Sequence, residues 1–140
     1  MAKPIMMPKL IMRIDFPPED RLGRGKIELL EQIRSEGSIT NAGRAMGLSY
    51  RRAWMLVAAM NRMFSTPVVE SKRGGGGGGG AVLTAFGEEL IARFRGMEAK
   101  ARQALAEDLC WLEARYVPPA ESDAAGEAAP DPSVPPAPPI

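Results

Sequence analysis

The sequence contains no histidine and a single cysteine, Cys110. Without histidine there is no histidine general base, and one cysteine supplies neither a Cys/His zinc site nor an intramolecular disulfide. A lone thiol with no histidine to activate it is not expected to act as a nucleophile. The sequence therefore predicts no catalytic residue, no metal site and no cofactor. The lack of disulfides is typical of the reducing cytoplasm.

Long apolar runs are also missing. No segment approaches the roughly 18 consecutive apolar residues that a membrane-spanning helix needs. Pro4 and Pro8 interrupt the apolar N-terminal stretch and Asp15 follows closely, a pattern that does not fit a secretory signal. We expect a cytoplasmic protein with no membrane partner, and a length of 140 residues fits about one domain.

Acidic residues are scarce in the middle of the chain, although the net charge is only +1. Between Ser38 and Gly80 the only acid is Glu70. The basic residues of this segment are Arg44, Arg51, Arg52, Arg62, Lys72 and Arg73. After Tyr116 the chain has four acids, Glu121, Asp123, Glu127 and Asp131, and no base. A basic middle with an acidic tail is typical of a nucleic-acid-binding domain with a solvated appendage.

The first two elements follow from hydrophobic periodicity. Residues 9–16 alternate with a period of two, which predicts a strand that Pro17 and Pro18 end. Its inner face consists of Leu10, Met12, Ile14 and Phe16. A helix is predicted from about Arg24 to Glu36, and Gly37 can close its last turn in the left-handed conformation.

Two further helices are predicted directly after this one. Ser38 or Thr40 caps a short second helix, Gly47 permits a turn, and Ser49 caps a third helix from about Tyr50 to Phe64. Small residues in the second helix, Ala42 and Ala45, are expected to allow a close crossing with the third. The third helix should bury Ala53, Val57, Met60 and Phe64 and expose Tyr50, Arg51, Trp54, Met55 and Ala58.

A basic hairpin follows the third helix. Val68 and Val69 open its first strand, Val82 and Leu83 lie in the second, and a run of seven glycines from Gly74 to Gly80 forms the tip. Glycine allows close approach to a ligand but loses much entropy on ordering, which predicts a tip that is mobile when free. A simple flexible loop and a phosphate-binding loop are the competing interpretations. The Gly-Lys-Ser/Thr ending of a nucleotide-binding loop is absent, so nucleotide binding is not expected.

The last predicted helix begins after Thr84 and extends from Ala85 to about Arg115. It is longer than so small a domain requires, so its apolar side is expected to pack against a second subunit. The residues assigned to this dimer interface are Leu90, Phe94, Met97, Ala101, Leu105, Leu109 and Leu112. The predicted organisation is a flexible N-terminus (1–8), one domain (9–116) and a disordered, acidic Pro/Ala-rich tail (117–140).

The helix-turn-helix and hairpin predict a surface for duplex DNA. A helix N-terminus in the major groove presents Tyr50, Arg51 and Arg52 to base edges, where arginine can pair with guanine. The residues expected to contact phosphates are Thr40, Asn41, Arg44 and Ser49 in the helix-turn-helix and Lys72 and Arg73 in the wing. Trp54 either packs beneath the helix N-terminus or contacts DNA.

These segments resemble a known family. Gly25–Glu31, Gly37–Thr40, Ala45–Trp54, Asn61-Arg62, the glycine-rich wing and Leu83–Gly87 are similar to the N-terminal winged-helix domain of the molybdate-responsive ModE regulators, itself related to the LysR-type DNA-binding domain. The resemblance implies a dimer joined through the N-terminal strand and the last helix. The region after Tyr116 has no room for the molybdate-binding domains of that family, so we do not expect molybdate binding by this chain.

The sequence thus predicts an α+β, mostly α, winged helix-turn-helix with an N-terminal strand and a long C-terminal dimerisation helix. Its predicted function is that of a homodimeric transcriptional regulator that binds a pseudo-palindromic DNA operator. The alternative is a dimeric protein-interaction module that keeps the winged helix only as a scaffold.

Overall fold

A computed structural model describes residues 8–72 and 80–119. The chain divides into two units, one of residues 9–106 and one that contains Pro8 and residues 107–119 of the described part. The elements are β1 (Arg13–Phe16), β2 (Asp20–Gly23), α1 (Arg24–Glu36), α2 (Ile39–Ala45), α3 (Tyr50–Met63), β3 (Val69–Lys72), β4 (Gly80–Leu83), α4 (Ala85–Ala104) and α5 (Ala106–Arg115). The predicted α+β winged helix-turn-helix is confirmed.

The predicted N-terminal strand forms only in part. β1 covers Arg13–Phe16 and pairs antiparallel with β2, a strand that the sequence did not predict. The alternation of half-buried Met12 and Ile14 with exposed residues is as expected. Phe16 departs from it, because its side chain is 41% exposed and meets Phe64 only edge-on.

The helix ends follow their capping residues. α1 ends at Glu36, where Gly37 adopts a left-handed φ of 77°. The side chain of Ser38, not that of Thr40, caps α2 by accepting a hydrogen bond from the N–H of Asn41 at 3.0 Å. Gly47 makes the turn before α3 with a φ of 72°. These predictions are confirmed. They could be made from the sequence because each depends on backbone conformation within a few residues.

The close crossing of α2 and α3 depends on Gly43, whereas the sequence predicted Ala42 and Ala45. Ala42 is fully buried, but Ala45 is exposed. Gly43 lies at the crossing instead, and a Cβ there would stand 2.7 Å from the Cβ of Ala53. The expectation for Ala45 was wrong, because helical rotation places Gly43 on the face toward α3.

One hydrophobic core organises the 9–106 unit. It combines α1, the inner faces of α2 and α3, and the start of α4, and its largest fully buried side chains are Phe94, Ile27, Leu29, Leu30, Ile33, Met60 and Val68. At the edge of this core, Arg95 of α4 donates to Glu31 of α1 at 2.7 Å and to the buried Glu98 at 2.8 Å. The hydrogen bond from Arg95 lowers the pKa of Glu31, and the two carboxylates raise the pKa of Arg95. This network fixes α4 against α1.

The predicted single helix from Ala85 to Arg115 is two helices. Leu105 separates α4 from α5 with φ −102° and ψ 10°, while its N–H still bonds to the carbonyl of Ala101 at 2.9 Å. The apolar stripe runs through this point and gave no sign of the break. The acids Glu107 and Asp108 in the first turn of α5 are the local signal, because carboxylates favour a helix N-terminus.

The residues predicted for the dimer interface have different environments. Phe94 is 1% exposed and belongs to the core of its own chain, so its side chain offers no surface to a partner. Leu90 is half-buried against that core. Met97 and Leu105 are exposed, and Ala101 is half-buried. In α5, taken by itself, Leu109 is half-buried and Leu112 is exposed.

Several predictions concern residues outside the described ranges. The flexible N-terminus lies there except for Pro8, and the tail lies there from residue 120 onward. Residues 117–119 have no regular secondary structure. Among the described helices, none is both long and apolar enough to cross a membrane.

Candidate nucleic-acid interface

The first turn of α3 is exposed and held by a cap. Ser49 Oγ accepts a hydrogen bond from the N–H of Arg52 at 3.0 Å, which fixes where the helix begins. Tyr50, Arg51 and Arg52 are all exposed at this end, as the sequence predicted. Because successive residues of an α-helix are about 100° apart, the three side chains leave the helix in three directions.

Tyr50 faces a groove between α3 and the hairpin, which we call the wing-side groove. Its lining residues are Ile39, Thr40, Tyr50, Trp54, Val57, Asn61, Val69, Glu70, Ser71, Gly80 and Ala81. The described lining contains one acid, Glu70, and no basic residue. This groove therefore presents aromatic, hydroxyl and amide groups with a local negative charge.

Trp54 lies one helical turn after Tyr50, in the same groove. Its side chain is 42% exposed, and the two ring centroids are 6.0 Å apart with a tilt of 54°. Aromatic pairs favour this separation and a tilted arrangement. The ring of Trp54 thus packs beside Tyr50 and keeps part of its surface exposed.

Arg52 faces the opposite side of α3, in a groove that we call the turn-side groove. Its lining comprises Arg21, Gly23, Gly25, Lys26, Met46, Leu48, Arg52 and Leu56, and none of these is acidic. Lys26 is half-buried and donates to the backbone carbonyl of Arg21. Burial lowers the pKa of Lys26; Asp20 opposes that shift, while Arg21, Arg62 and Arg52 add to it. Arg21 and Lys26 were not predicted as part of the site.

Arg51 lies between the two grooves and lines neither of them. Together with Met55 and Ala58, it forms the outward ridge of α3; Met55 is exposed and Ala58 also lies at the surface. A ridge of this kind is the part of a helix that enters deepest into a DNA groove. Of the three residues predicted to contact bases, Arg51 is the one on this ridge.

The predicted contacts in α2 are less uniform. Thr40 is half-buried and belongs to the wing-side groove. Asn41 and Arg44 are exposed, and the N–H of Asn41 is already used by the Ser38 cap. Thr40 thus lies beside the α3 side chains, while Arg44 occupies the last turn of α2.

The predicted hairpin is present as β3 and β4. The strands pair antiparallel, with Val69 opposite Leu83 and Lys72 opposite Gly80. Ala81 N–H donates to the carbonyl of Gly37 at 2.9 Å, which ties β4 to the end of α1. Lys72 is exposed, whereas Arg73 and the glycine tip before Gly80 lie outside the described residues. The proposed roles of Arg73 and of a mobile tip therefore stay predictions.

Asn61 joins α3 to the hairpin, a role that was not predicted. Its Oδ1 accepts from the N–H groups of Val68 at 2.8 Å and Val69 at 3.2 Å, and its Nδ2 donates to the carbonyl of Val69 at 3.2 Å. The side chain thereby continues the hydrogen bonding of a strand end onto a helix. An asparagine near the end of a helix, before a proline and two valines, is the only local hint of this role.

Thr84 and Gly87 connect the hairpin to α4. Thr84 Oγ1 donates to the carbonyl of Pro67 at 2.6 Å and accepts from the N–H of Gly87 at 3.0 Å. A Cβ on Gly87 would stand 2.3 Å from the carbonyl oxygen of Val68. Only glycine allows α4 to begin this close to the hairpin, so both ends of the hairpin are fixed by single residues.

A three-helix domain with a hairpin beside its third helix is a winged helix-turn-helix. Residues 25–88 match the family described as bacterial regulatory helix-turn-helix protein, lysR family. The segment from α1 to the start of α4 is therefore similar to the LysR-type helix-turn-helix. Within the described residues no group of three or more Cys, Asp and Glu side chains is placed to hold a metal ion.

The N-terminal part of the chain is also similar to individual proteins. It is 46% identical over 79 residues to the molybdenum-pterin-binding protein MopB of Rhodobacter capsulatus, covering 56% of this chain and 29% of that protein. It is 37% identical over 94 residues to the molybdenum transport protein ModE of Azotobacter vinelandii, covering 67% and 35%. It is 38% identical over 66 residues to the DNA-binding transcriptional dual regulator ModE of Escherichia coli K12, covering 47% and 25%. The matched part thus spans about a third or less of these relatives, and the predicted family resemblance is confirmed.

Proposed function

We propose that this chain is a transcriptional regulator that binds duplex DNA through α3 and the hairpin, and that it acts by binding and not by catalysis. The observation that carries the proposal is the capped, exposed N-terminus of α3 with Arg51 on its ridge. The match of residues 25–88 to a helix-turn-helix family and the similarity of the chain to a DNA-binding regulator support the proposal. Binding to bacterial DNA implies action in the cytoplasm.

The geometry suggests a division of tasks in the complex. Arg51 enters the major groove and pairs with the O6 and N7 acceptors of a guanine. Tyr50, supported by Trp54, packs against the 5-methyl group of a thymine, because both rings are exposed and apolar. Lys72, with Arg73, contacts phosphates and contributes affinity without sequence preference.

We further propose that the protein binds as a homodimer. A surface between two copies is supported by the exposed apolar side chains of Ile11 in the N-terminal strand region, Met97 on α4 and Leu105 at the C-terminal end of α4. Two copies related by a twofold axis would place their α3 helices in successive major grooves, about 34 Å apart. The operator would then be a pseudo-palindrome. Molybdenum appears in the names of two of the relatives, MopB and the Azotobacter vinelandii ModE.

A mobility-shift titration against random duplexes at two salt concentrations tests the proposal. We expect a shift at low salt that weakens as salt rises, because displaced counterions drive much of the binding. Selection from a random pool should then yield a site with twofold symmetry, and sedimentation should show a dimer.

One observation favours a second candidate, a protein-interaction module. In α5, taken alone, Trp111 and Leu112 are both more than half exposed and no residue of the helix is buried. Exposed apolar side chains of this kind suit a protein partner. The absence of any shift at low salt would favour this second function over DNA binding.

A further inference from the structure

We propose that the turn-side groove is a second DNA-backbone contact, in which Arg21, Lys26 and Arg52 hold phosphates of the same duplex that receives α3. This inference rests on the proposed function and extends it to residues outside the helix-turn-helix and the wing. It also gives Arg52 a different task from Arg51, although the two are adjacent in sequence.

The groove collects positive charge from three separate elements. Arg21 comes from β2, Lys26 from α1 and Arg52 from α3. Arg21 and Arg52 are exposed, and Lys26 is half-buried. The neighbouring carboxylate, Asp20, is already paired with Arg62 at 3.2 Å. The groove is thus lined by three cations and no acid, with Asp20 as a neighbouring carboxylate.

The cations are near enough to act on one another. Burial has the largest effect on the pKa of Lys26 and lowers it; Asp20 raises this pKa, and Arg21, Arg62 and Arg52 each lower it further. Like charges held together in a folded domain cost free energy that an anion would recover. The cations at the groove therefore attract an anionic ligand, while Met46, Leu48 and Leu56 make much of its lining apolar.

The position of the groove identifies the anion as DNA phosphate. Met46 and Leu48 of the turn between α2 and α3 contribute to its lining, so the groove runs directly beside the first turn of α3. An α-helix with its side chains is about 10–12 Å wide, close to the width of the major groove, so an inserted helix has a phosphate backbone on either side. The turn-side cations face one backbone, and the hairpin with Lys72 lies toward the other.

Arg21→Gln and Lys26→Gln test the proposal in the full-length chain. Lys100→Gln is the matched control, because Lys100 is an exposed cation on α4 and its loss changes the net charge equally. Binding to a random duplex is measured between roughly 50 and 200 mM salt. The slope of log K against log salt is negative, and we expect its magnitude to decrease by about 0.9 for each phosphate that a variant no longer neutralises. The control should retain the slope of the natural protein.

A second measurement locates the phosphates. Single methylphosphonates, which remove the charge of one phosphate, are placed along a duplex chosen by selection. Neutralising a phosphate beside the turn-side groove should weaken DNA binding by the natural protein but have little further effect on DNA binding by Arg21→Gln. Arg21 is exposed, so this variant is expected to fold, and its melting temperature checks that.

Two results would overturn the proposal. Slopes for Arg21→Gln and Lys26→Gln equal to that of Lys100→Gln would show that the groove touches no phosphate, and so would methylphosphonate effects that are the same in Arg21→Gln and the natural protein. In both cases DNA binding by the natural protein would leave the proposed function intact. Failure of the natural protein to bind DNA at low salt would instead remove both.

Discussion

The two sides of α3 differ in chemistry although they belong to one helix. The wing-side groove carries the aromatic pair Tyr50 and Trp54 together with Glu70, whereas the turn-side groove carries Arg21, Lys26 and Arg52. Aromatic rings and an acid can contact base edges, and the acid repels phosphate. A group of cations attracts phosphate. Adjacent residues of a recognition helix can therefore serve different parts of the DNA.

The ridge between the two grooves makes the comparison instructive. Tyr50, Arg51 and Arg52 are consecutive, and their exposure alone does not distinguish them. Rotation of about 100° per residue points them in three directions, for which we propose aromatic contact, base pairing and phosphate contact respectively. Changes at these positions are therefore expected to have distinguishable effects on stability, base preference and salt dependence.

The largest effect is expected when the hairpin that borders the wing-side groove loses its hydrogen bonds to α3. Asn61→Ala leaves the N–H groups of the buried Val68 and Val69 without their acceptor, which should lower the free energy of unfolding by about 2–4 kcal/mol. Urea denaturation measures this loss. Asn61→Asp keeps an acceptor oxygen and should lose less; equal losses for both variants would contradict the role assigned to Oδ1.

A change on the ridge should affect DNA binding and not folding. Arg51→Ala is expected to weaken binding by about 1–3 kcal/mol and to relax preference at one base pair. Competition with duplexes altered at each position of the selected site measures both effects. Arg51→Lys keeps the charge but loses the planar fork, so it should recover affinity for random DNA and not base preference. An unchanged preference in Arg51→Ala would remove Arg51 from base contact.

The aromatic side can be examined from the DNA. Replacing a contacted thymine by uracil deletes only the 5-methyl group, and we expect a loss of about 0.5–1.5 kcal/mol in the natural protein. In Trp54→Ala the same replacement should have a smaller effect, because Tyr50 loses its neighbouring ring. Trp54→Phe retains an aromatic ring and should resemble the natural protein. Sensitivity to uracil that is equal in all three proteins would separate Trp54 from thymine contact.

The smallest effect is expected from the exposed cation of the hairpin. Lys72→Ala should lower affinity by a similar factor for selected and random duplexes and flatten the salt slope by about one unit. Dissociation constants determined by isothermal titration calorimetry at several salt concentrations measure this change. A decrease confined to the selected site would instead place Lys72 at a base edge. Comparison with Arg21→Gln shows whether the two sides contribute equally to backbone binding.

Local features were predictable because few residues decide them. The bounds of α1, the left-handed Gly37 and Gly47 and the caps at Ser38 and Ser49 all depend on short-range hydrogen bonds. Periodicity also selected the buried Ala53, Val57 and Met60 of α3, but the fourth predicted member, Phe64, follows the last residue of the helix and is only half-buried. The pattern failed where an apolar stripe continued across a break, at Leu105.

The remaining site residues depend on contacts between distant segments. Arg21 and Lys26 precede the helix-turn-helix in sequence, and only the packing of α1 against α3 brings them beside Arg52. Ala42 and Ala45 both looked suitable for a close crossing, but helix rotation exposes Ala45 and places Gly43 against Ala53. Phe94 fitted a partner surface by its spacing, yet it fills the core of its own chain.

The sequence by itself determined the helix-turn-helix, its caps, the hairpin and the exposure of the first turn of α3. These features follow from hydrophobic period, turn residues and caps, all of which act over a few residues. Only the tertiary structure decided which exposed residues share a surface, where Asn61 anchors the hairpin and that α3 has one aromatic and one cationic side. Those properties arise from side chains brought together across the fold, and no short segment contains them.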